Sequence, residues 1–249
     1  MFVQLLWSEA SSLITLCSNH TEMQKVKLIF IAALAFGAGL SAQSVQSLDA
    51  FDEVNVTGNI EVLLAVGDAE AASLETENIP EDEVTIKVSQ GVLKIRVFDS
   101  VFYKDEQIKV FVTYRTLRAV RGNAGAIIRN RSIIEGEELL VRAGSGARVE
   151  LRVAVDALDA GASEGGRLLL EGETERQEIT ASTGGIYDGL ELACRRAYIK
   201  ANTGGQADVT AEEVLDATAN TGGRIRYRGE PEETRFKSVL SGTVEKMEN

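Results

Sequence analysis

The motif ANTGG stands at 201–205 and again at 219–223. The same column contains AGSGA at 143–147, ASEGG at 162–166 and ASTGG at 181–185, so alanine follows alanine at intervals of 19, 19, 20 and 18 residues. GNAGA at 122–126, 21 residues ahead, is a degenerate first member, and LSGT at 240–243 is a last one. A near-constant period of this length constrains the fold more than any other feature. One such repeat cannot bury an apolar face alone, so successive copies must stack.

Within each repeat the apolar spacing is two. Leu158/Ala160/Ala162, Ile179/Ala181, Ala197/Ile199/Ala201 and Leu215/Ala217/Ala219 precede the corners. Val149/Leu151/Val153, Leu168/Leu170, Ala207/Val209 and Ile225/Tyr227 follow them. Alternation of this kind places side chains on one face of a strand. The segments between corners are too short for a helix plus two strands. Each repeat therefore reads as two or three short strands, separated by polar turns such as 171–176 and Arg195-Arg196. Stacked at the ordinary strand spacing of ~4.8 Å, such repeats build a parallel β-helix with coils of about 18–21 residues. In that frame the corner alanine faces a narrow interior, and Asn202 and Asn220 form an axial amide ladder. Both glycines are expected to supply the positive φ of a corner.

The region 48–117 alternates equally clearly without the glycine column. Val54/Val56, Val62/Leu64/Val66, Val84/Ile86/Val88, Leu93/Ile95/Val97 and Ile108/Val110/Val112/Tyr114 read as strands. The domain expected over 48–245 thus divides into irregular first coils or a cap at 48–117 and regular repeats at 118–245. Glu230-Pro231-Glu232-Glu233 is expected to blunt the far end, because an open coil end exposes unpaired edge groups.

Ahead of the domain, Lys25 and Lys27 precede the apolar run 28–40, which ends in small residues at 40–42. This is the anatomy of a signal peptide over 23–42, too short for a membrane span. Residues 1–22 then read as an upstream extension from a misassigned start. Removing 1–42 takes away Trp7, His20 and Cys17, leaving Cys194 as the one cysteine and no histidine. No internal disulfide can form, and Ser–His–Asp, Cys–His and imidazole–metal chemistry are excluded. The leader carries two acidic and two basic residues, so the formal charge stays at −12, which opposes nucleic acid and anionic lipid as partners.

The stretch FDEVNVTGNIEVLL at 51–64, the strands at 84–88 and 108–113, GVLKI at 91–95, Leu117 and the glycine corners together resemble the bacterial head GIN domain family of putative auto-transporter adhesins. The resemblance runs over about 50–245. It implies an all-β, single-stranded right-handed parallel β-helix, secreted or associated with the envelope. The family brings no catalytic residues to carry over.

The remaining chemistry is sparse. Cys194 follows Leu190 and Leu192 at spacing two and reads as a core thiol. ANTGG lacks the lysine and following helix of a phosphate loop. Glutamates at 135/137/138, 171/173/175, 212/213 and 230/232/233 fall at apparent turns with no calcium-loop spacing. No catalytic residue, metal site or cofactor is expected, and the chain is read as a non-enzyme; a polysaccharide lyase or hydrolase is the weaker enzymatic reading. Thr183, Thr203 and Thr221 have two readings. The favoured one has their hydroxyls satisfying corner backbone groups. The functional one makes Asn202, Thr203, Asn220, Thr221 and Thr183 a ligand-facing ladder for glycans or envelope proteins. The expected address is the periplasm, the outer membrane or the exterior after Sec-type export, with no membrane span in the mature chain. An alternative is a structural envelope protein, a homo-oligomer assembled through its coil ends.

Overall fold

The computed structural model describes residues 45–97 and 107–248; the expected upstream extension and signal peptide lie outside the described residues. The described chain is all-β. Its strands are β1 (Val45–Ser47), β2 (Glu53–Thr57), β3 (Glu61–Val66), β4 (Ala71–Glu77), β5 (Val84–Ser89), β6 (Val92–Val97), β7 (Gln107–Tyr114), β8 (Ala119–Asn123), β9 (Ile127–Asn130) and β10 (Ile134–Ala143). They continue as β11 (Arg148–Ala162), β12 (Arg167–Ser182), β13 (Ile186–Gly189), β14 (Leu192–Asn202), β15 (Gln206–Thr210), β16 (Val214–Asn220), β17 (Arg224–Arg228), β18 (Glu233–Val239) and β19 (Thr243–Lys246).

Two parallel stacks make the β-solenoid. One runs β6, β2, β8, β10, β11, β12, β14, β16, β18. The other runs β7, β3, β9, β11, β12, β13, β15, β17, β19. Strands β11 and β12 belong to both because each runs on through a bend, for 15 and 16 residues. The polar turns expected at 171–176 and 195–196 are therefore bends within strands. At Gly172, with φ +117°, a Cβ would stand 2.1 Å from the Val153 carbonyl oxygen, so the bend packs on the coil below through bare backbone.

In-register pairing aligns the repeat. Gly122, Ala143, Ala162, Ala181, Ala201 and Ala219 form one inward column, and Val120, Val141, Ala160, Ile179, Ile199 and Ala217 form the next. The alanines and the second column are almost fully buried. Burial of each Val, Leu or Ile contributes about 1.5–3 kcal/mol, without a disulfide.

The N-terminal region both begins the solenoid and closes it. Strands β2 and β3 are coil strands, but they lie between β6/β7 and β8/β9, which come later in the chain. Beyond them, β4 runs antiparallel to β7, β1 antiparallel to β4 and β5 antiparallel to β6. At the other end, Glu230-Pro231-Glu232-Glu233 does not cap the solenoid: it leads into β18, which pairs in parallel with β16 as one more coil.

The last glycine of each corner has a different role from the one expected. Gly166, Gly185, Gly205 and Gly223 lack positive φ; a Cβ there would stand 2.2–2.3 Å from the carbonyl oxygen of the alanine one coil below. Close stacking, rather than turn conformation, demands glycine. Gly205→Ala should therefore cost roughly 3 kcal/mol or more. Gly204→Ala meets open space and pays only the left-handed backbone penalty of about 1–2 kcal/mol. Thermal unfolding of the two variants checks this ranking, and a milder effect at Gly205 would refute it.

Candidate functional site

Each corner is a four-residue turn. At the ANTGG corner, Gly205 N donates to Asn202 O at 2.9 Å, with Thr203 at φ +48° and Gly204 at φ +72°. Two successive positive φ values define a type I′ turn, whose natural central pair is Asn-Gly. Here the asparagine is one place early, and a β-branched residue holds the left-handed position. The same occurs at Thr183 (φ +49°) and Thr221 (φ +47°). Such a conformation costs about 1–2 kcal/mol per residue.

The corner backbone does not need the threonine hydroxyls. Gly184 N donates to Thr203 O at 3.2 Å and Gly204 N to Thr221 O at 3.1 Å, so each turn bonds to the next along the axis. Among the described residues no hydrogen-bond partner of the Thr183, Thr203 or Thr221 hydroxyls is present, and all three side chains are exposed. The structural role expected of them is thus filled by peptide groups. The asparagines behave as expected: Asn220 Nδ2 donates to Asn202 Oδ1 at 3.0 Å, and both are half-buried. Of the five candidate residues, the structure brings the threonines onto one exposed ridge and sets the asparagines beneath them as an internal brace.

Beside the ridge lies the outward face of the β8–β18 stack. Its column nearest the corner holds Ser163, Ser182, Asn202 and Asn220. The next holds Gly161, Thr180, Lys200 and Thr218, and the one beyond it Asp159, Glu178, Tyr198 and Asp216. The ridge is one margin of a continuous polar face.

Some of the turn glutamates, Glu175 and Glu213 among them, are held in ion pairs along the axis. Arg195 reaches Glu213 at 2.5 Å and Glu175 at 3.1 Å; the Glu213 bond, then the charge of Glu175, raise its pKa further. Arg129 likewise bridges Glu150 at 2.7 Å and Glu61 at 2.6 Å. Among the described residues no three metal-ligating side chains converge.

Sequence reasoning missed a buried polar node. The Tyr187 hydroxyl donates to Gln177 Oε1 at 2.7 Å with both residues fully buried, and Gln177 Nε2 donates to Thr210 O at 3.4 Å. The signal was available: Gln177 occupies an inward register position held by Leu158, Ala197 and Leu215 in neighbouring coils. Gly189 makes room for the ring, since a Cβ there would come within 2.5 Å of the Tyr187 oxygen. Cys194 is core, 1% exposed, its thiol donating to Arg196 O at 3.3 Å. Burial pushes its pKa from 9.0 up to about 11, an inert thiol.

Two outcomes follow from this geometry. Thr203→Asn restores the Asn-Gly pair and should stabilise the fold by roughly 1 kcal/mol, read as a raised denaturation midpoint. Because the folded pKa of Cys194 is raised, its share of stability is complete below pH 9.0 and is lost as pH rises towards about 11. That share is on the order of 3 kcal/mol. Denaturant melts of the wild type and Cys194→Ala across this range should show the steeper alkaline loss in the wild type.

The family model described as "Putative auto-transporter adhesin, head GIN domain" matches residues 50–231. Among solved structures, a putative adhesin from Bacteroides fragilis NCTC 9343 is 14% identical, with a TM-score of 0.74 over 82% of this chain and 96% of that one. A putative adhesin from Parabacteroides merdae ATCC 43184 is 21% identical, with a TM-score of 0.66 over 85% and 98%. A putative lipid binding protein from Parabacteroides distasonis ATCC 8503 is 18% identical, with a TM-score of 0.64 over 85% and 98%. No curated protein matches the chain. At these identities the structural likenesses establish the shared solenoid fold.

Proposed function

This chain belongs to the head GIN domain family of putative auto-transporter adhesins, and on that footing we propose that it is an exported, non-enzymatic binding module of the bacterial cell envelope. Its partner is an extended one, a glycan or an envelope protein, lying along the threonine ridge and the face beside it. The leader-like segment at 23–42 supports export, and no helix among the described residues is long and apolar enough to cross a membrane.

One observation carries the reading. Three corners hold threonine where the backbone favours asparagine or glycine, and their hydroxyls have no hydrogen-bond partner among the described residues. Ala124, Ser145, Glu164 and Leu240 hold the same left-handed position in the other corners, so what sets these three apart is a consecutive row of exposed hydroxyls, a feature best accounted for by something outside the fold. Stacked at ~4.8 Å, the hydroxyls and methyls form a regular ladder of the kind an extended polymer can follow.

A second reading, assembly through the coil ends, has its own support. β18 pairs only with β16 among the described strands, and Phe236, Val239 and Leu240 are 47%, 40% and 74% exposed. Sedimentation tests it: a monomer at every concentration rules it out.

Cross-linking in the native envelope, combined with arrays of glycans and envelope proteins, tests the principal reading. The wild type should capture a partner, and the triple variant Thr183→Asn/Thr203→Asn/Thr221→Asn should capture at least about tenfold less while melting no lower. Equal capture by the two proteins, or no binding at high micromolar concentration, would overturn it.

A further inference from the structure

The outward face beside the ridge is not uniform. In register along the axis run Glu53, Ala119, Leu140, Asp159 and Glu178, one from each of five adjacent strands. Ala157 lies beside Leu140 and Asp159, between Glu138 and Arg176. The small side chains sit below the level of their long neighbours and leave an open trough of about 370 Å³. Four strand intervals make it roughly 19 Å long.

Each end of the apolar floor carries an arginine–carboxylate bracket. At one end Glu53 is held by Arg121 and by Arg118 at 2.9 Å, and Arg118 also reaches Asp52 at 2.5 Å. At the other end Arg142 pairs with Asp159 at 2.8 Å, and Arg176 pairs with Glu178 while its guanidinium lies 5.0 Å above the Tyr198 ring. The Arg142–Asp159 and Arg176–Glu178 pairs are exposed, where an ion pair adds little to stability, so the fold itself gives little reason for that bracket.

We propose that this trough is a binding subsite for a neutral pyranose chain, a proposal that rests on the binding-module reading above and gives it a ligand class. The brackets offer guanidinium donors and carboxylate acceptors together, the set that hydroxyl pairs of a sugar satisfy. Leu140 and Ala157, both half-buried, accept the C–H face of the ring. Charge selects against acidic chains: the five carboxylates of Asp52, Glu53, Glu138, Asp159 and Glu178 outnumber the four guanidinia of Arg118, Arg121, Arg142 and Arg176, and the protein carries −12 overall. Because the arginines are already clamped, binding does not have to order them.

The test is calorimetric titration of the full chain with neutral oligosaccharides of glucose, mannose and N-acetylglucosamine, with oligogalacturonate as the acidic counterpart. Ala157→Trp fills the floor from an outward position, and Arg176→Ala opens one bracket without touching the core. Each should weaken neutral binding by at least about tenfold, and oligogalacturonate should bind more weakly than the neutral chains. Neutral binding unchanged in both trough variants would overturn the subsite while leaving the binding-module reading intact. Tighter binding of oligogalacturonate, or capture of envelope proteins with no oligosaccharide bound, would overturn the ligand class. Failure of the wild type to bind any glycan or envelope protein would sink the binding-module reading itself.

Discussion

The structure depends on how closely one corner can rest on the next. The final glycine of each ANTGG-type corner brings its Cα so near the alanine carbonyl below that a single methyl group would overlap it. That contact sets the axial rise at the corner and holds the turn peptides within hydrogen-bonding distance, Gly204 on Thr221 and Gly184 on Thr203. The strand ladders on either side then fall into register, and register decides which side chains face inward. Alanine in the inward corner column follows from the same closeness, because the interior is narrowest there.

Repetition of one contact also explains how the fold tolerates local cost. A β-branched residue in a left-handed turn would be unfavourable in an isolated hairpin. Here each such turn is bonded to neighbours above and below, so the strain at Thr203 is held by the stack. The node at Tyr187 and Gln177 follows the same logic: a large ring and an amide enter the core only because Gly189 and Ala207 leave space in the same stack. Stability is shared along the axis, and the outward face is left free to vary.

That freedom is why the outer surface differs from coil to coil while the interior repeats. Tyr198, Lys200 and Asp216 lie on one part of the face; Ala119, Leu140 and Ala157 lie on another. Several arginines of the outer surface reach a carboxylate one coil away, and the charge of −12 is carried by the acidic side chains beyond the ion pairs.

The parallel solenoid, the period of its coils and the inward set of residues were all legible in the chain, because alternation and repetition are local and a stacked repeat has few other ways to bury them. The amide ladder of Asn202 and Asn220 could be inferred for the same reason. Other features required the folded molecule. That β2 and β3 lie between strands that come later in the chain is a long-range pairing no periodicity encodes. That the two glycines of one corner do different work depends on the distance to the coil below. That the turn amides bond to one another, leaving the threonine hydroxyls without a partner among the described residues, depends on the stacking, and the trough depends on which outward side chains become neighbours across five strands. The sequence alone determined what repeats, because repetition is written in spacing; only tertiary stacking decided what each repeat touches, because those contacts join residues of different coils.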